Sequence, residues 1–355
     1  MFSFRTTPLE DQVDKALLSG KVGCFCTQNC WDTFRDRYMY QLFAERGNLE
    51  VVISPRDAEL TPGTNHISFT PDMIHGLQAV VVEIQDVGSR YFNYTRDVFR
   101  LMSVMNEMGR DECPALYIVD HINPAGRVVE GSIAGEQREE FVPKIAHRHG
   151  LTLGELCNLY YAEIGASFPL HVISAHASEA TRELLPWTIA PASDIPGMFS
   201  SLMYSGGGLW NNTSITPAIG TARPYEYFGA PFIKPQMETI PVPEGVLMRT
   251  CSFTPSAGRY EGERCYGYQI MLRPGYEYHS LLHTLQLMKY FLGRYSQFEI
   301  YDEMKSKLSD PVMESYLAGD IDFQALKEHV KVEEQKWIRK ARRFCLYDDL
   351  PVRMK

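Results

Sequence analysis

"VVVEIQDVGSRYFNYT", Val80–Thr95, is the stretch on which the reading of this chain turns. A largely apolar run, with Glu83 its one charge, leads into Gln85-Asp86-Val87-Gly88, and Arg90, Tyr91, Phe92 and Tyr94 follow. Consecutive β-branched residues without polar alternation suit a strand buried on both faces, and such strands belong to parallel sheets covered by helices. A core has no use for the carboxylate, guanidinium and phenols at its end. They fall where an open parallel sheet binds ligands, outside the carboxyl ends of its strands.

Similar apolar runs recur at "KVGCFCT" (21–27), "LEVVISP" (49–55), "ALYIVD" (115–120) and "LHVISA" (170–175). Helical periodicity lies between them over 33–46, 91–109 and 152–164. The last of these has its own start signal, because Thr152 and Glu155 form a capping box ahead of Leu156, Leu159 and Tyr160. The alternation predicts an α/β fold, a Rossmann-like doubly wound parallel sheet, over residues 1–220. From about 176 to 265 the chain turns rich in Pro, Gly, Ser, Thr and Tyr, including "SGGGLWNNTSITPAIGTARPYEYFGAPF", and reads as functional loop. A strand at 266–272, a helix at 279–292 ended by Gly293 and a helix over about 322–344 predict a smaller α+β domain from 221 to 355. The ligand cleft is expected between the two.

A chain of 355 residues exceeds the usual size of one core, which favours two domains. The net charge of −9 and pI near 5.6 argue against a nucleic-acid partner, since neutralising phosphates needs a basic face. The basic cluster Lys336–Arg343 reads as the solvated face of the last helix. No apolar segment approaches the roughly 20 residues of a membrane span, and "MFSFRTTPLEDQVDKALL" shows no basic start followed by an apolar run. The expectation is a cytoplasmic protein with its eight cysteines as free thiols. Cys24, Cys26 and Cys30 read as small core residues.

The strand ends carry Thr27-Gln28-Asn29, Ser54-Pro55-Arg56-Asp57, Gln85-Asp86 and Asp120-His121 with Asn123. The first strand-to-helix turn, "CTQNCWDTF", contains no glycine, so no backbone can approach a pyrophosphate. His147 and His149 stand two apart with no further clustered ligand, which favours hydrogen-bonding roles over a metal. Neither nucleotide nor metal cofactor is expected. What remains is a cleft of carboxylates, asparagines, tyrosines and the arginines Arg90, Arg148 and Arg223. Flat aromatics with bidentate hydrogen-bonding groups suit a small carbohydrate, and an arginine suits a carboxylated one.

Taken together, "VEIQDVGSRYFNYT", "VDHINPAGRVVEG", "VPKIAHRHGLTLGEL", "GTARPYEYFGAP" and "SFTPSAGRYEGERCYGYQ" resemble, in this order, the signature segments of the exo-β-N-acetylmuramidase family. The resemblance implies a Rossmann-like domain joined to a smaller one, with release of N-acetylmuramic acid from non-reducing ends of peptidoglycan fragments. Asp86 and Arg90 match the family's I-Q-D-V-G-x-R. Asp120, Asn123 and Pro124 match D-R-P-N-P, with His121 and Ile122 replacing its Arg and Pro. Glu130 and Gly131 match V-E-G, Arg148-His149-Gly150 match R-H-G, and Arg223 and Glu226 match G-T-x-R-P-x-E. Departures are equally specific: Arg56 replaces the glutamate of S-P-E-H-G, and Asn211 and Pro217 replace the two glutamates of E-G-T-N-x-S-E-G-R.

Glycoside hydrolysis needs a proton donor on the leaving oxygen and a second carboxylate, or the substrate's acetamido group, at the anomeric carbon. The resemblance therefore implies Asp86, Glu263 and His149 as catalytic candidates. Arg90, Tyr94, Asp120, Asn123, Glu130, Arg148, Arg223 and Glu226 are the substrate-binding candidates. An ionised Asp86 beside Arg90 suits a base, nucleophile or electrostatic stabiliser; Glu263, Glu226 and His149 are candidates for the proton donor. A non-catalytic sugar- or muropeptide-binding relative remains open, given the replaced glutamates.

Overall fold

A computed structural model describes residues 19–32, 36–55, 69–109, 112–135, 144–173 and 189–354. Five parallel strands, Val22–Cys26, Leu49–Ile53, Ala79–Glu83, Ala115–Val119 and Leu170–Ile173, form the central sheet. Leu49–Ile53 lies at one edge, followed by Val22–Cys26, Ala79–Glu83, Ala115–Val119 and Leu170–Ile173. In register, Ile53 pairs with Phe25, Phe25 with Val82, and Val82 with Ile118. That row packs on one side with Val98, Phe99 and Met102 of helix Asn93–Glu107 and with Leu156 and Leu159 of helix Leu153–Glu163. On the other side Cys24, Cys26, Cys30, Val81 and Tyr117 pack with Met39 and Phe43 of helix Met39–Arg46. Burial of both faces is the reason the three inner strands, Val22–Cys26, Ala79–Glu83 and Ala115–Val119, read as apolar runs, while the edge strands carry the exposed Glu50 and His171.

The Thr152 capping box forms: Thr152 Oγ1 accepts from the Glu155 amide at 3.3 Å, and the Thr152 amide donates to Glu155 Oε2 at 2.9 Å. The first helix starts at Met39 rather than 33. A short hairpin of Trp31–Asp32 with Arg37–Tyr38 precedes it, and Gly47 at φ 74° ends it.

The stretch 176–265, expected to be loop, differs most. Residues 174–188 lie outside the described residues, but beyond them come helix Met198–Gly207 and the antiparallel strands Tyr227–Ala230 and Val246–Phe253. These strands flank Cys265–Leu272. The glycines of "SGGGLW", expected within that loop, instead end a helix packed against helix Ser280–Leu292. A Cβ on Gly206 would stand 2.1 Å from the Ser280 carbonyl oxygen, so only glycine permits this approach. Val246–Phe253 is an edge strand with mixed exposure, which hides it from a search for apolar runs.

The C-terminal helix, Phe323–Ala341, is capped by Asp322, whose Oδ1 accepts from the Ala325 amide at 2.8 Å. It packs on strand Val128–Ile133, and Val352–Arg353 pairs alongside that strand, so the end of the chain returns to its first half. All eight cysteines are free. No described helix is long and apolar enough to cross a membrane.

Candidate active site

The chain lays Leu49–Ile53 on one side of Val22–Cys26 and Ala79–Glu83 on the other, so strand order reverses there. Ligands of doubly wound sheets bind at such a reversal, outside the carboxyl ends. Ser54, Thr27, Glu83 and His121 occupy or directly follow four adjacent strand ends. Glu83 is fully buried, with Oε1 3.1 Å from His121 Nε2. The hydroxyls of Thr27 and Ser54 are buried without a hydrogen-bond partner among the described residues. An unsatisfied buried hydroxyl costs about 1–3 kcal/mol. Arg56, Asp57 and Glu59 lie outside the described residues.

Most of the site residues named from sequence form a buried layer behind these ends. Asp86 accepts from the Gly88 amide at 2.7 Å and from Thr95 Oγ1 at 2.5 Å, and His149 Nε2 stands 3.2 Å from its Oδ1. His149 Nδ1 accepts from the Leu151 amide, which leaves the ring proton on the nitrogen facing Asp86. Asp120 takes the Gly154 amide, Thr152 Oγ1 and Tyr347 Oη, at 2.8, 2.6 and 2.7 Å. Asn123 bridges Ala125 N and Leu151 O. Arg90 reaches across to the helix Glu303–Leu308, donating to the Lys307 and Leu308 carbonyls at 2.8 and 2.7 Å. Tyr94 is buried, its ring 4.6 Å from that of Phe92.

Glu130 caps the helix Ser280–Leu292. It accepts from Ser280 N, Ser280 Oγ and Leu281 N, and pairs with Arg148 at 2.9 Å. Burial pushes this carboxyl upward, but His279, Arg148 and the helix amides outweigh it and hold it below its ordinary value. Burial, and then Arg90, push the His147 imidazole well below its usual value; its nitrogens face Arg90 and Tyr91. No group of three or more metal-ligating side chains occurs among the described residues.

Arg223 and Glu226 stand elsewhere. The Arg223 side chain is 51% exposed and pairs with Glu226 at 3.3 Å. Burial raises the Glu226 carboxyl against the pull of Arg223, and Ser200 Oγ lies 3.5 Å from it. Tyr225, between them in sequence with Pro224, packs edge-on to Tyr204 at 4.8 Å and donates its hydroxyl to Asp194 Oδ2 at 2.8 Å. The amide of Asn211 lies at the same hydroxyl. Tyr204 Oη approaches the Tyr91 carbonyl at 3.5 Å, joining this wall to the buried layer at Arg90. At the far end, Gln28 Nε2 donates to the Ala190 carbonyl and ties the segment before Asp194 to the strand ends. Glu263 sits exposed in the turn before Cys265–Leu272, with no side-chain hydrogen bond among the described residues.

The structure thus gathers Asp86, Arg90, Asp120, Asn123, Glu130, Arg148 and His149 into a closed network, and sets Arg223 and Glu263 at the surface, with Glu226 buried and paired to Arg223. Sequence reasoning passed over the Glu83–His121 pair and Asp194. A charge in the last position of an apolar strand was the available signal for Glu83. Asp194 lies in an irregular stretch that offers none.

A doubly wound parallel sheet followed along the chain by a three-stranded antiparallel sheet defines the class. Within it, the chain belongs to the exo-β-N-acetylmuramidase NamZ family: the family's N-terminal model matches residues 63–196 and its C-terminal model residues 202–347. It is 29% identical over 232 residues to the peptidoglycan β-N-acetylmuramidase NamZ of Bacillus subtilis (strain 168). That match covers 62% of this chain and 55% of the relative, about half its length. Two DUF1343 family proteins of Bacteroides fragilis NCTC 9343 share the fold. One has a TM-score of 0.76 at 19% identity, covering 94% of this chain and 96% of the other. The second has a TM-score of 0.72 at 18% identity, with 93% and 94% covered.

Proposed function

We propose that this chain is a glycoside hydrolase that releases N-acetylmuramic acid from the non-reducing ends of peptidoglycan fragments. The observation that carries the reading is the match to both family models, N-terminal and C-terminal, in order along one chain. The chemistry of the exposed wall agrees with it. N-acetylmuramic acid bears a lactyl carboxylate, and the half-exposed Arg223 guanidinium is suited to bind one. Glu226, whose carboxyl is raised by burial, suits the proton donor on the leaving oxygen.

In this reading Asp86 and His149 act from behind, fixing the Gly88–Arg90 turn on which the cleft wall rests. Glu263 enters from the exposed turn of the antiparallel sheet, and Glu83 with His121 forms the floor. The reaction belongs to recycling of cell-wall fragments in the cytoplasm, a setting consistent with eight free thiols.

The test is incubation with N-acetylmuramyl-β-1,4-N-acetylglucosamine, following sugar release by mass spectrometry and binding by calorimetry. Release of both monosaccharides is expected. Saturable binding without release would replace the hydrolase with a sugar-binding protein.

A further inference from the structure

Tyr225 holds an unusual backbone conformation. Its φ is 66°, in the left-handed region that bulky residues rarely enter, and its ring is buried against Tyr204. Such conformations persist only where surrounding structure enforces them, and they cluster at ligand sites. Here the enforcing contacts are the Tyr225 amide to the Pro217 carbonyl at 2.8 Å and the Tyr227 amide to the Arg223 carbonyl at 3.0 Å. The result of the strain is directional: the Tyr225 hydroxyl ends 2.8 Å from Asp194 Oδ2. Burial keeps that phenol protonated far above neutrality, so it serves Asp194 as a fixed donor.

Asp194 is itself held on a rigid segment. Ala192 and Ile195 are buried and bridge one another, and Gln28 grips Ala190. Asp194 is only partly buried, and its Oδ1 has no hydrogen bond among the described residues. One oxygen is thus fixed by Tyr225, the other has no hydrogen bond among the described residues, and the partly exposed Tyr204, which packs edge-on to Tyr225, stands close enough for its phenol to feel the Asp194 charge.

A carboxylate oxygen awaiting a donor, next to an aromatic edge, matches an N-acetyl group: the N–H meets the carboxylate and the methyl meets the ring. We propose that Asp194 is the specificity residue that receives the 2-acetamido N–H of the sugar, aimed by Tyr225. This rests on the reading of the chain as an N-acetylmuramic acid-recognising protein and names the group that reads the N-acetyl substituent. Held this way, the acetamido group is kept in one orientation beside the anomeric carbon.

The experiment compares binding of N-acetylmuramic acid and of its 2-hydroxy counterpart, 3-O-lactylglucose, by calorimetry to the parent, Asp194→Ala, Asp194→Asn and Tyr225→Phe. Thermal melting is measured on each variant. The parent should prefer the N-acetyl sugar. Both Asp194 variants should weaken N-acetylmuramic acid binding by about 10- to 100-fold, the usual worth of a charged hydrogen bond. They should leave the 2-hydroxy sugar within about threefold. Tyr225→Phe, which keeps the ring and loses only the hydroxyl, should show a smaller loss confined to the N-acetyl sugar. Equal losses on both sugars, or no loss in folded variants, overturns the assignment while parent turnover of the disaccharide still stands. A parent that binds neither sugar and releases nothing overturns the functional reading itself.

Discussion

Glu130→Gln removes the charge from a carboxylate of the buried layer that accepts four hydrogen bonds. In the parent, Glu130 takes Arg148 Nη1 at 2.9 Å, Ser280 Oγ at 2.8 Å, and the amides of Ser280 and Leu281 at 3.1 and 3.0 Å. Both partners of the ion pair are buried, and among the described residues Arg148 has no other carboxylate within ion-pair distance. The glutamine leaves a buried guanidinium bound only to carbonyls, a change worth about 3–5 kcal/mol. At roughly 1.3 °C per kcal/mol for a chain of this length, the melting temperature should fall by about 5 °C.

The sign with pH follows from the two groups involved. Glu130 is held below its ordinary 4.5, so its contribution is present above that value and lost as pH falls through the folded one. Burial depresses His279, but Glu130 and Glu334 outweigh it and raise the imidazole above 6.5. Its contribution is therefore complete below 6.5 and lost as pH rises through the folded value. The gap between parent and variant should be widest between pH 4.5 and 6.5 and shrink toward alkaline pH. The double variant Glu130→Leu with Arg148→Met should recover much of the loss but stay below the parent, since the helix cap is still missing. Differential scanning calorimetry across that pH range reads all of this. A Glu130→Gln melting temperature within 2 °C of the parent would refute the reasoning, and with a raised KM would return Glu130 to the substrate-binding role that sequence implies for it.

Gly206→Ala should destabilise by about 1–3 kcal/mol or more, seen by urea unfolding, because its Cβ would press 2.1 Å from the Ser280 carbonyl oxygen and 2.6 Å from Thr284 Oγ1. Asp86→Asn should lower stability by about 1–3 kcal/mol by disturbing the bonds to Gly88 and Thr95, while kcat of the folded fraction stays within a few-fold. A fall of about 10²-fold at unchanged melting temperature would instead make Asp86 an acid–base group. Dialysis against a chelator should leave disaccharide turnover unchanged; loss restored by zinc would assign a metal to the region of His147 and His149.

The central sheet was legible because its cause is local. Strands buried on both faces must be apolar throughout, and each described core strand lies within its run in the sequence. Thr152 and Glu155 announced their helix because a capping box joins residues three apart. What the polar residues of these motifs bond to was decided by the tertiary structure. Asp120, Glu130 and Arg90 look like ligand-binding groups in a linear motif, yet their partners are Tyr347, Ser280 and Leu308, far along the chain. A carboxylate capping a distant helix and one facing a sugar have the same sequence signal. Only folding determines which donors reach them. The same holds for "SGGG", where glycine serves close helix packing instead of a turn, and for Asp194, whose orientation comes from Tyr225 across a stretch without periodicity. Hydrogen-bond satisfaction inside a protein is settled by what folding brings within about 3 Å, and sequence separation carries no record of it.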